Sequence, residues 1–502
     1  MNSATPIWDR EQAPINREHA TNVGLRNFLL VFFASLLFHL AGTWTLPLID
    51  RDEPRFAEAS REMLQRGDYI VPYFNNHYRF DKPPLTYWFQ TLSYRIFGEN
   101  DFAARFPSAV AASLTALLIF AWGRRVGGNL LAWWAAIIFT LCFQTFVHGK
   151  AAVADMWLVF FMTAAYWTGY DLIRGQSSKR DWWVFYLSLG CGFLAKGPIA
   201  WLPLLTVVAA KYFLPPTKLN QRFHFLAGCV VSLAVVSLWG VPALLRTNAE
   251  FLRVGIGRHV IERSVVAMEG HGGGSILSYL AALPFYFIAI FLTFFPWSFK
   301  LPWLARRLWR ERDPLDNFLI AGVAIVFLIF TLVKTKLPHY TLPAFPLLAL
   351  LLAKALVRQK DAPVFVRRAS LTALVIAFLA VLSTPFVAKF SPSLQLYRQA
   401  EHNLTPEMEF GAARYREPSL VWYFRRQIEG WFSEVDDKAV AAFMDRAGAR
   451  FVVIPTDLAT DIYPSTPSNW LRYTTHGFNT ANFKWVDLTL LLKPRPSVTD
   501  SR

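Results

Sequence analysis

Charge is scarce in this chain of 502 residues, since only 17% of them are Asp, Glu, Lys or Arg. A soluble protein of this length carries more charge, whereas here 54% of the residues are hydrophobic and 44 are phenylalanine, which is typical of a helical bundle that faces lipid. Cysteine is also rare. All three cysteines lie within apolar runs, so neither a disulfide framework nor a cysteine metal site is indicated.

Nucleotide-binding motifs are missing as well, because the chain has neither a Walker-type glycine-rich loop nor a dinucleotide fingerprint. The net charge of +16 raises the question of a nucleic-acid partner. The basic residues lie in short loops between apolar runs, so we expect no nucleic acid to bind. The first apolar run has no small-residue cleavage site, which predicts a retained helix and not a signal peptide.

Eleven apolar runs are long enough, or nearly so, to span a membrane as helices. They are residues 28–47, 103–122, 129–147, 156–172, 182–195, 199–214, 225–245, 276–298, 317–333, 340–357 and 369–388. We therefore predict an all-α membrane protein, a polytopic bundle of about 11–13 transmembrane helices.

Lysine and arginine are concentrated in alternate loops, which predicts that these loops are cytoplasmic. The basic loops are Arg124–Arg125, Arg174–Arg180, Lys211–Arg222, Lys300–Arg312 and Lys354–Arg368. The tail of residues 1–27 is then cytoplasmic, and the first outer loop (48–102) and the C-terminus are periplasmic. The same alternation favours a turn at Lys196–Pro198. The chain is thus predicted to be a multi-pass protein of the inner membrane.

The segment after the predicted membrane domain (28–388) differs in character. Residues 389–502 are mixed in charge, with a helix-like run at Asp437–Gly448 and strand-like runs at Arg450–Pro455 and Trp485–Leu492. These patterns predict a small extracytoplasmic α/β domain on the periplasmic side.

The first outer loop contains two acids at the start of a predicted helix, Asp52 and Glu53. Acids are favoured at a helix N-terminus, so a capping role and a functional role both stay open for Glu53. Asp52 directly follows the first predicted span, and we favour a functional role for it. The helix is predicted to lie along the membrane surface because it has an apolar stripe of Phe56, Ala59, Met63 and Leu64.

Lys82 precedes two prolines, which hold the backbone in an extended or turn geometry at the membrane interface. Its compact charge suits a phosphate, and Arg55 would add a planar set of donors. The alternative is a lysine that reaches lipid headgroups beside Tyr87 and Trp88.

Ionisable residues recur at other predicted outer helix ends and loops, namely Asp155, Lys196, His259, Arg263 and Lys336. Such groups are costly at membrane depth and face a cavity or a partner. The positive-inside rule disfavours lysine and arginine on the periplasmic side. An anionic ligand is the simplest explanation for the cations that are found there. A phosphate without a nucleotide fits a lipid-linked sugar. A lipid-carrier flippase or transporter would place ionisable residues near the middle of the membrane, so their position at the outer ends favours an enzyme.

Several stretches together resemble the aminoarabinose lipid A transferase family, which is related to protein O-mannosyltransferases. They are Arg51–Glu58, Asp81–Trp88, Phe102–Pro107, Gly192–Pro198, Lys336–Pro343 and Glu417–Tyr423. The resemblance implies a GT-C fold, a sugar donor linked to undecaprenyl phosphate, and an acceptor such as lipid A or another periplasmic glycan or protein. A protein O-mannosyltransferase-like activity is the alternative within the same architecture.

The resemblance also implies roles for individual residues. Asp52 and Asp155 would be the catalytic acids, and Arg55, Lys82 and Tyr340 would hold the carrier phosphate. The substrate cavity would be completed by Asp81, Lys196, His259, Arg263 and Lys336. Asp81 replaces the glutamate usual in the aminoarabinose enzymes, which leaves the sugar and the acceptor open. The motifs require no cofactor. They leave open one candidate, a divalent metal near Asp81.

Overall fold

The computed structural model describes residues 24–175, 177–212, 219–251, 253–255 and 276–495. Two predicted substrate-binding residues, His259 and Arg263, lie outside the described residues.

Helices dominate the first half of the chain, and two of them belong to the first outer loop. The helices are α1 (Leu25–Leu40), α2 (Asp52–Arg66), α3 (Leu85–Phe97), α4 (Asp101–Leu141), α5 (Phe143–His148), α6 (Asp155–Arg174), α7 (Lys179–Lys196), α8 (Leu202–Ala209), α9 (Leu219–Phe223) and α10 (Phe225–Arg246). Between α2 and α3, the strands β1 (Tyr73–Phe74) and β2 (His77–Tyr78) form a small antiparallel hairpin.

The second half of the bundle continues with six helices and a 3₁₀ segment at Pro338–Ala344. The helices are α11 (Ile276–Ala281), α12 (Phe285–Thr293), α13 (Leu301–Arg310), α14 (Pro314–Leu332), α15 (Phe345–Val357) and α16 (Ala362–Lys389). The largest core cluster of the protein lies within this bundle and includes Trp122, Phe139, Tyr166, Phe318 and Leu347.

Five helical segments among the described residues are long and apolar enough to cross a membrane, and the number is six if a segment bent by 114° counts as one span. The remaining predicted spans fall on shorter or more polar helices. Helix α4 contains the predicted span 103–122 and most of the predicted span 129–147. Gly128 adopts a φ of 81° and breaks the helix between them. The predicted span 276–298 is interrupted at Pro284 and Pro296, which cannot donate backbone hydrogen bonds.

The chain after α16 folds into an α/β domain. Its elements are α17 (Pro392–Ala400), β3 (Glu409–Ala412), α18 (Pro418–Phe424), β4 (Phe432–Glu434), α19 (Val440–Asp445), β5 (Arg450–Pro455), α20 (Thr456–Ile462), β6 (Leu471–Asn479) and β7 (Lys484–Lys493). The sheet order is β4-β3-β5-β7-β6, with β3 parallel to both neighbours and the other pairs antiparallel.

The predicted strands are confirmed, and β5 shows why its sequence is a continuous apolar run. Phe451 and Val453 face one core cluster, whereas Val452 and Ile454 face another on the opposite side of the sheet. Alternate side chains of a strand point to opposite faces, so a strand that is covered on both sides needs apolar residues at every position.

Helix α2 has the predicted apolar stripe, but its polar side is covered too. Phe56, Ala59 and Met63 pack against Tyr87 of α3, while Glu58, Arg61 and Glu62 are buried and α18 contacts the helix. The surface helix predicted from the sequence therefore lies between the membrane bundle and the α/β domain.

Candidate functional site

Asp155 and Lys196 form an ion pair at one end of the bundle. Asp155 is the first residue of α6 and Lys196 the last residue of α7, so these packed helices bring the two side chains together. The Lys196 Nζ lies 2.5 Å from the Asp155 Oδ1. The chain turns directly afterwards at Gly197, whose φ of 81° is readily adopted by glycine, at the predicted position.

Three further side chains lie around this pair. The Nε2 of His339 is 3.9 Å from the Asp155 Oδ1, and the Lys196 Nζ is 5.5 Å from the centre of the Tyr340 ring. Lys82 is near enough to His339 for their charges to interact. We call Lys82, Asp155, Lys196, His339 and Tyr340 the outer cluster. Four of them were predicted from the sequence. The structure places Asp155, Lys196 and Tyr340 beside His339, and Lys82 contributes to the electrostatic environment of His339.

His148 extends the outer cluster and suggests a metal-ligand set. The ring centres of His148 and His339 are 4.8 Å apart. Together with Asp155 they form the only group of three possible metal ligands found among the described residues. The ammonium of Lys196 already neutralises the Asp155 carboxylate, which makes this group a poor site for a second cation.

Asp81 belongs to no such group in the described part of the chain. Its Oδ2 lies 3.5 Å from the Nη2 of Arg79, so a cationic side chain already faces the carboxylate. The described residues around Asp81 therefore do not present the ligand set of a divalent metal.

Asp52 is exposed in the first turn of α2, and Arg55 follows it on the same helix, half-buried. Asp52 is electrostatically coupled to Arg79, whose Nε donates to the Tyr87 hydroxyl at 3.0 Å. Burial alone would lower the pKa of the Arg79 guanidinium, but Tyr87, together with Asp81 and Asp52, holds it above its usual value. The segment from Arg79 to Lys82 thus connects the surroundings of Asp52 with the outer cluster.

The sequence left both a capping role and a functional role open for Glu53, and in the structure its contacts are structural. Its carboxylate forms a bidentate ion pair with the buried Arg105, at 2.9 and 2.7 Å. The same carboxylate accepts the backbone N–H groups of Ile49 at 2.8 Å and of Ala152 at 2.7 Å. Glu53 therefore joins the start of α2 to α4 and to the loop before α6.

Lys336, which was predicted to bind substrate, caps a helix in the structure. Its ammonium donates to the backbone carbonyls of Phe330, Thr331 and Val333 at the end of α14. The last carbonyls of a helix lack partners within the helix and carry partial negative charge. The three protons of the ammonium are used there, so this cation needs no anionic ligand.

Lys150 repeats this arrangement at the end of α1. Its Nζ donates to the carbonyls of Phe38, His39 and Ala41 at 2.7, 3.1 and 2.8 Å. Helix capping therefore accounts for Lys150 and Lys336 in the structure without an anionic ligand.

The α/β domain contacts the loop that contains Asp52, a relationship that local sequence patterns do not indicate. The Asp50 carboxylate accepts the Ser419 backbone N–H at 2.9 Å and its hydroxyl at 2.5 Å. The Arg51 Nε lies 3.3 Å from Glu417. Further along α2, Glu58 is paired with both Arg61 and Arg425. The stretch Glu417–Tyr423 and the neighbouring Arg425 thus join the α/β domain to the outer loop.

The bundle, the long outer loop and the α/β domain together form a GT-C fold. The structure matches that of ArnT from Cupriavidus metallidurans bound to undecaprenyl phosphate with a TM-score of 0.77, over 93% of this chain and 98% of that chain, at 19% identity. The fold and the apolar helices make this a multi-pass membrane protein.

Sequence comparison then identifies the family. The undecaprenyl phosphate-α-4-amino-4-deoxy-L-arabinose arabinosyl transferase of Aeromonas salmonicida is 32% identical over 386 residues, which cover 74% of this chain and 68% of that protein. The enzyme of the same name from Edwardsiella ictaluri is 32% identical over 331 residues, and the chain spans 58% of its length. The chain belongs to this arabinosyl transferase family.

A broader family model matches residues 81–240 and is described as dolichyl-phosphate-mannose-protein mannosyltransferase. The matched range begins at Asp81 and includes Lys82, Asp155 and Lys196. It therefore covers much of the outer cluster and stops before His339 and Tyr340.

Proposed function

We propose that this protein is a glycosyltransferase that moves a sugar from undecaprenyl phosphate to an acceptor on the periplasmic side of the inner membrane. The observation that carries the proposal is the outer cluster, in which the Asp155–Lys196 ion pair lies beside His339 and Tyr340 in a chain of the arabinosyl transferase family. The names of the relatives support 4-amino-4-deoxy-L-arabinose as the sugar, and the family resemblance supports lipid A as the acceptor.

The proposed reaction is a single displacement. An oxygen of the acceptor attacks the anomeric carbon of the sugar while the bond from that carbon to the carrier phosphate breaks. The bonding electrons leave with undecaprenyl phosphate, and the configuration at the sugar inverts. Positioning the two reactants in line removes much of the entropic barrier.

Lys82 and Arg55 are proposed to hold the departing phosphate, whose negative charge increases as the bond breaks. Fixed cations stabilise such developing charge without having to reorganise. In the ground state, the charge of Lys196 is balanced by Asp155, so Lys196 serves as an oriented hydrogen-bond donor that lines the site.

Asp52 is proposed to act at the reaction centre. A lipid A phosphate is already ionised and needs no base, so with this acceptor Asp52 would stabilise the positive charge that develops on the sugar ring. A hydroxyl acceptor would instead require Asp52 to remove its proton.

The variant Asp52→Asn tests this role. Asp52 is exposed in the first turn of α2 and Arg51 is the N-cap, so the variant should keep the wild-type melting temperature and lose most of its transfer from an undecaprenyl-phosphate donor. Asp361→Asn is the matched control, because Asp361 is also an exposed acid at a helix N-terminus, but at the start of α16. Near-wild-type turnover by Asp52→Asn would return this residue to a capping role.

A protein O-mannosyltransferase-like activity is the second candidate, and the family model over residues 81–240 favours it. The two activities differ in their acceptors. Mass spectrometry of lipid A and of glycoproteins, from cells with and without the gene, separates them. The divalent metal near Asp81 stays a prediction of the sequence, and transfer measured with and without a chelator tests it.

A further inference from the structure

The turn between β6 and β7 contains an exposed aromatic residue where turn chemistry favours a small or polar one. Phe483 is 79% exposed and adopts a φ of 53°, in the left-handed region that Gly and Asn occupy most readily. Trp485, two residues later, is 54% exposed. Neighbouring exposed aromatic side chains indicate an interaction surface.

Helix α16 fixes the level of this turn relative to the bilayer. Arg367 and Arg368 precede an uncharged run, residues 369–388, and Lys389 ends the helix. At 1.5 Å per residue this run is about 30 Å long, which is the thickness of the hydrocarbon core. Lys389 therefore marks one boundary of the core, and Phe390 lies immediately beyond it.

The β6–β7 hairpin packs against the end of α16 at this boundary. The ring centre of Trp485 is 5.3 Å from that of Phe390, which in turn is 4.8 Å from Phe386. Phe386 is exposed and continues a row of exposed side chains along α16 that includes Phe378 and Leu382. The aromatic surface of the hairpin is thus continuous with the surface that α16 presents to lipid.

We propose that the β6–β7 hairpin is a membrane-contact element that places Phe483 and Trp485 in the interfacial region of the bilayer. The Trp485 ring has a polar N–H and favours this region, and the apolar Phe483 ring can be buried at the boundary between headgroups and acyl chains. The exposed Lys484, between the two rings, is long enough to reach anionic headgroups. The inference rests on the length of α16 and on these ring contacts, and is independent of the proposed glycosyl transfer.

This contact would also fix the position of the loop that contains Asp52. The Arg51 guanidinium donates to the Oδ1 of Asn482, the neighbour of Phe483, at 3.0 Å. A hairpin held in the interface therefore holds Arg51 close to the membrane surface.

The test measures the depth of the hairpin directly. The full-length protein, with its three native cysteines replaced, receives a nitroxide at a single cysteine introduced as Phe483→Cys or, separately, Trp485→Cys. The control is Asp436→Cys, a position in the same domain whose side chain is 90% exposed. In lipid nanodiscs, collision rates are measured with oxygen, which partitions into lipid, and with a water-soluble nickel chelate.

We expect the ratio of oxygen to nickel collisions to be several-fold higher at 483 and 485 than at 436. The same ratio measured in detergent-free nanodiscs at low and high salt should not change, because burial of aromatic rings is not screened by ions. Ratios at 483 and 485 equal to that at 436 would place the hairpin in water and overturn the proposal.

Discussion

The buried guanidinium of Arg105 and the carboxylate of Glu53 form a two-point ion pair that joins the membrane bundle to the first outer loop. Arg105 additionally donates to the carbonyls of Leu46 and Pro47. The Nε, Nη1 and Nη2 atoms of Arg105 therefore each have an acceptor in the segment Leu46–Glu53.

Removing the charge of Glu53 should destabilise the protein strongly. Glu53→Gln leaves the buried Arg105 without a counter-charge, a change that costs on the order of 3–5 kcal/mol. We expect a clear drop in melting temperature for the purified protein. Glu53→Leu combined with Arg105→Met should be less destabilised than Glu53→Gln, because no unpaired charge remains. A melting temperature of Glu53→Gln equal to wild type would contradict the buried pair.

Lys82 and Lys336 should respond differently to truncation, although both are cations in outer loops. Lys82→Ala should weaken binding of the polyprenyl phosphate roughly tenfold to a hundredfold, since a hydrogen bond to a charged group contributes about 1.5–3 kcal/mol. Lys82→Arg should retain part of the affinity. Lys336→Ala should instead lower the melting temperature, because α14 loses its cap. Carrier binding that is unchanged in Lys82→Ala would support the lipid-headgroup role of this lysine.

Asp155 and Lys196 should behave as one unit in transfer assays. Asp155→Asn and Lys196→Ala are each expected to abolish most of the activity, and the double variant should be little worse than either one, because the first change already disrupts the pair. Circular dichroism and melting temperatures of the same variants separate this effect from unfolding. Fully additive losses would show that the two side chains act independently.

The pH dependence of stability should reveal the raised pKa of the Asp50 carboxyl. Burial raises the pKa of its carboxyl to about 7, in spite of the hydrogen bond from Ser419 that lowers it. In the unfolded chain the pKa is about 3.9, so between these two values the folded state holds a proton that the unfolded state lacks. The contribution of Asp50 to stability is therefore present at low pH and is lost as pH rises towards 7.

Asp50→Asn cannot ionise and still presents an oxygen to the Ser419 N–H. Its melting temperature relative to wild type should therefore increase from pH 5 to pH 8. A difference that stays constant over this range would show that Asp50 keeps an ordinary pKa in the folded protein.

The proposed orientation predicts which loops reach the periplasm. Single cysteines in the outer loop 48–102, or in the exposed part of the α/β domain, should react with an impermeant thiol reagent in cells whose outer membrane is permeabilised. A cysteine at position 306, in helix α13 of the basic segment Lys300–Arg312, should react only after lysis. Labelling at 306 before lysis would contradict the loop-charge argument.

The periodic and strongly apolar features of the sequence were sufficient to predict the membrane bundle and the α/β segment, including the strand at Arg450–Pro455. The turn at Lys196–Pro198 followed from loop charge alone. Asp155 and Lys196 were predicted as site residues because a charged group at membrane depth is costly and needs a cavity or a partner. Their ion pair follows from the antiparallel packing of α6 and α7.

Local sequence patterns could not predict other contacts, because the residues that form them are far apart in the chain. Nothing near Lys336 distinguishes a lysine that caps a helix from one that binds phosphate, since both need a cation at an outer helix end. Burial of the polar side of α2 depends on α18, which follows it by more than 350 residues. His339 lies next to the predicted Tyr340, but its contact with Asp155 requires the three-dimensional fold.

The pairing of Glu58 with Arg425 has a consequence for biosynthesis, because the two residues are 367 positions apart. At 5–20 residues per second, the ribosome needs roughly 20 to 70 s to reach Arg425 after it has passed Glu58. Throughout that interval α2 has emerged with carboxylates that still lack this partner, and water must solvate them. The outer loop therefore completes its assembly only after translation of most of the chain, and a polypeptide that stalls within the last membrane helix has no finished loop.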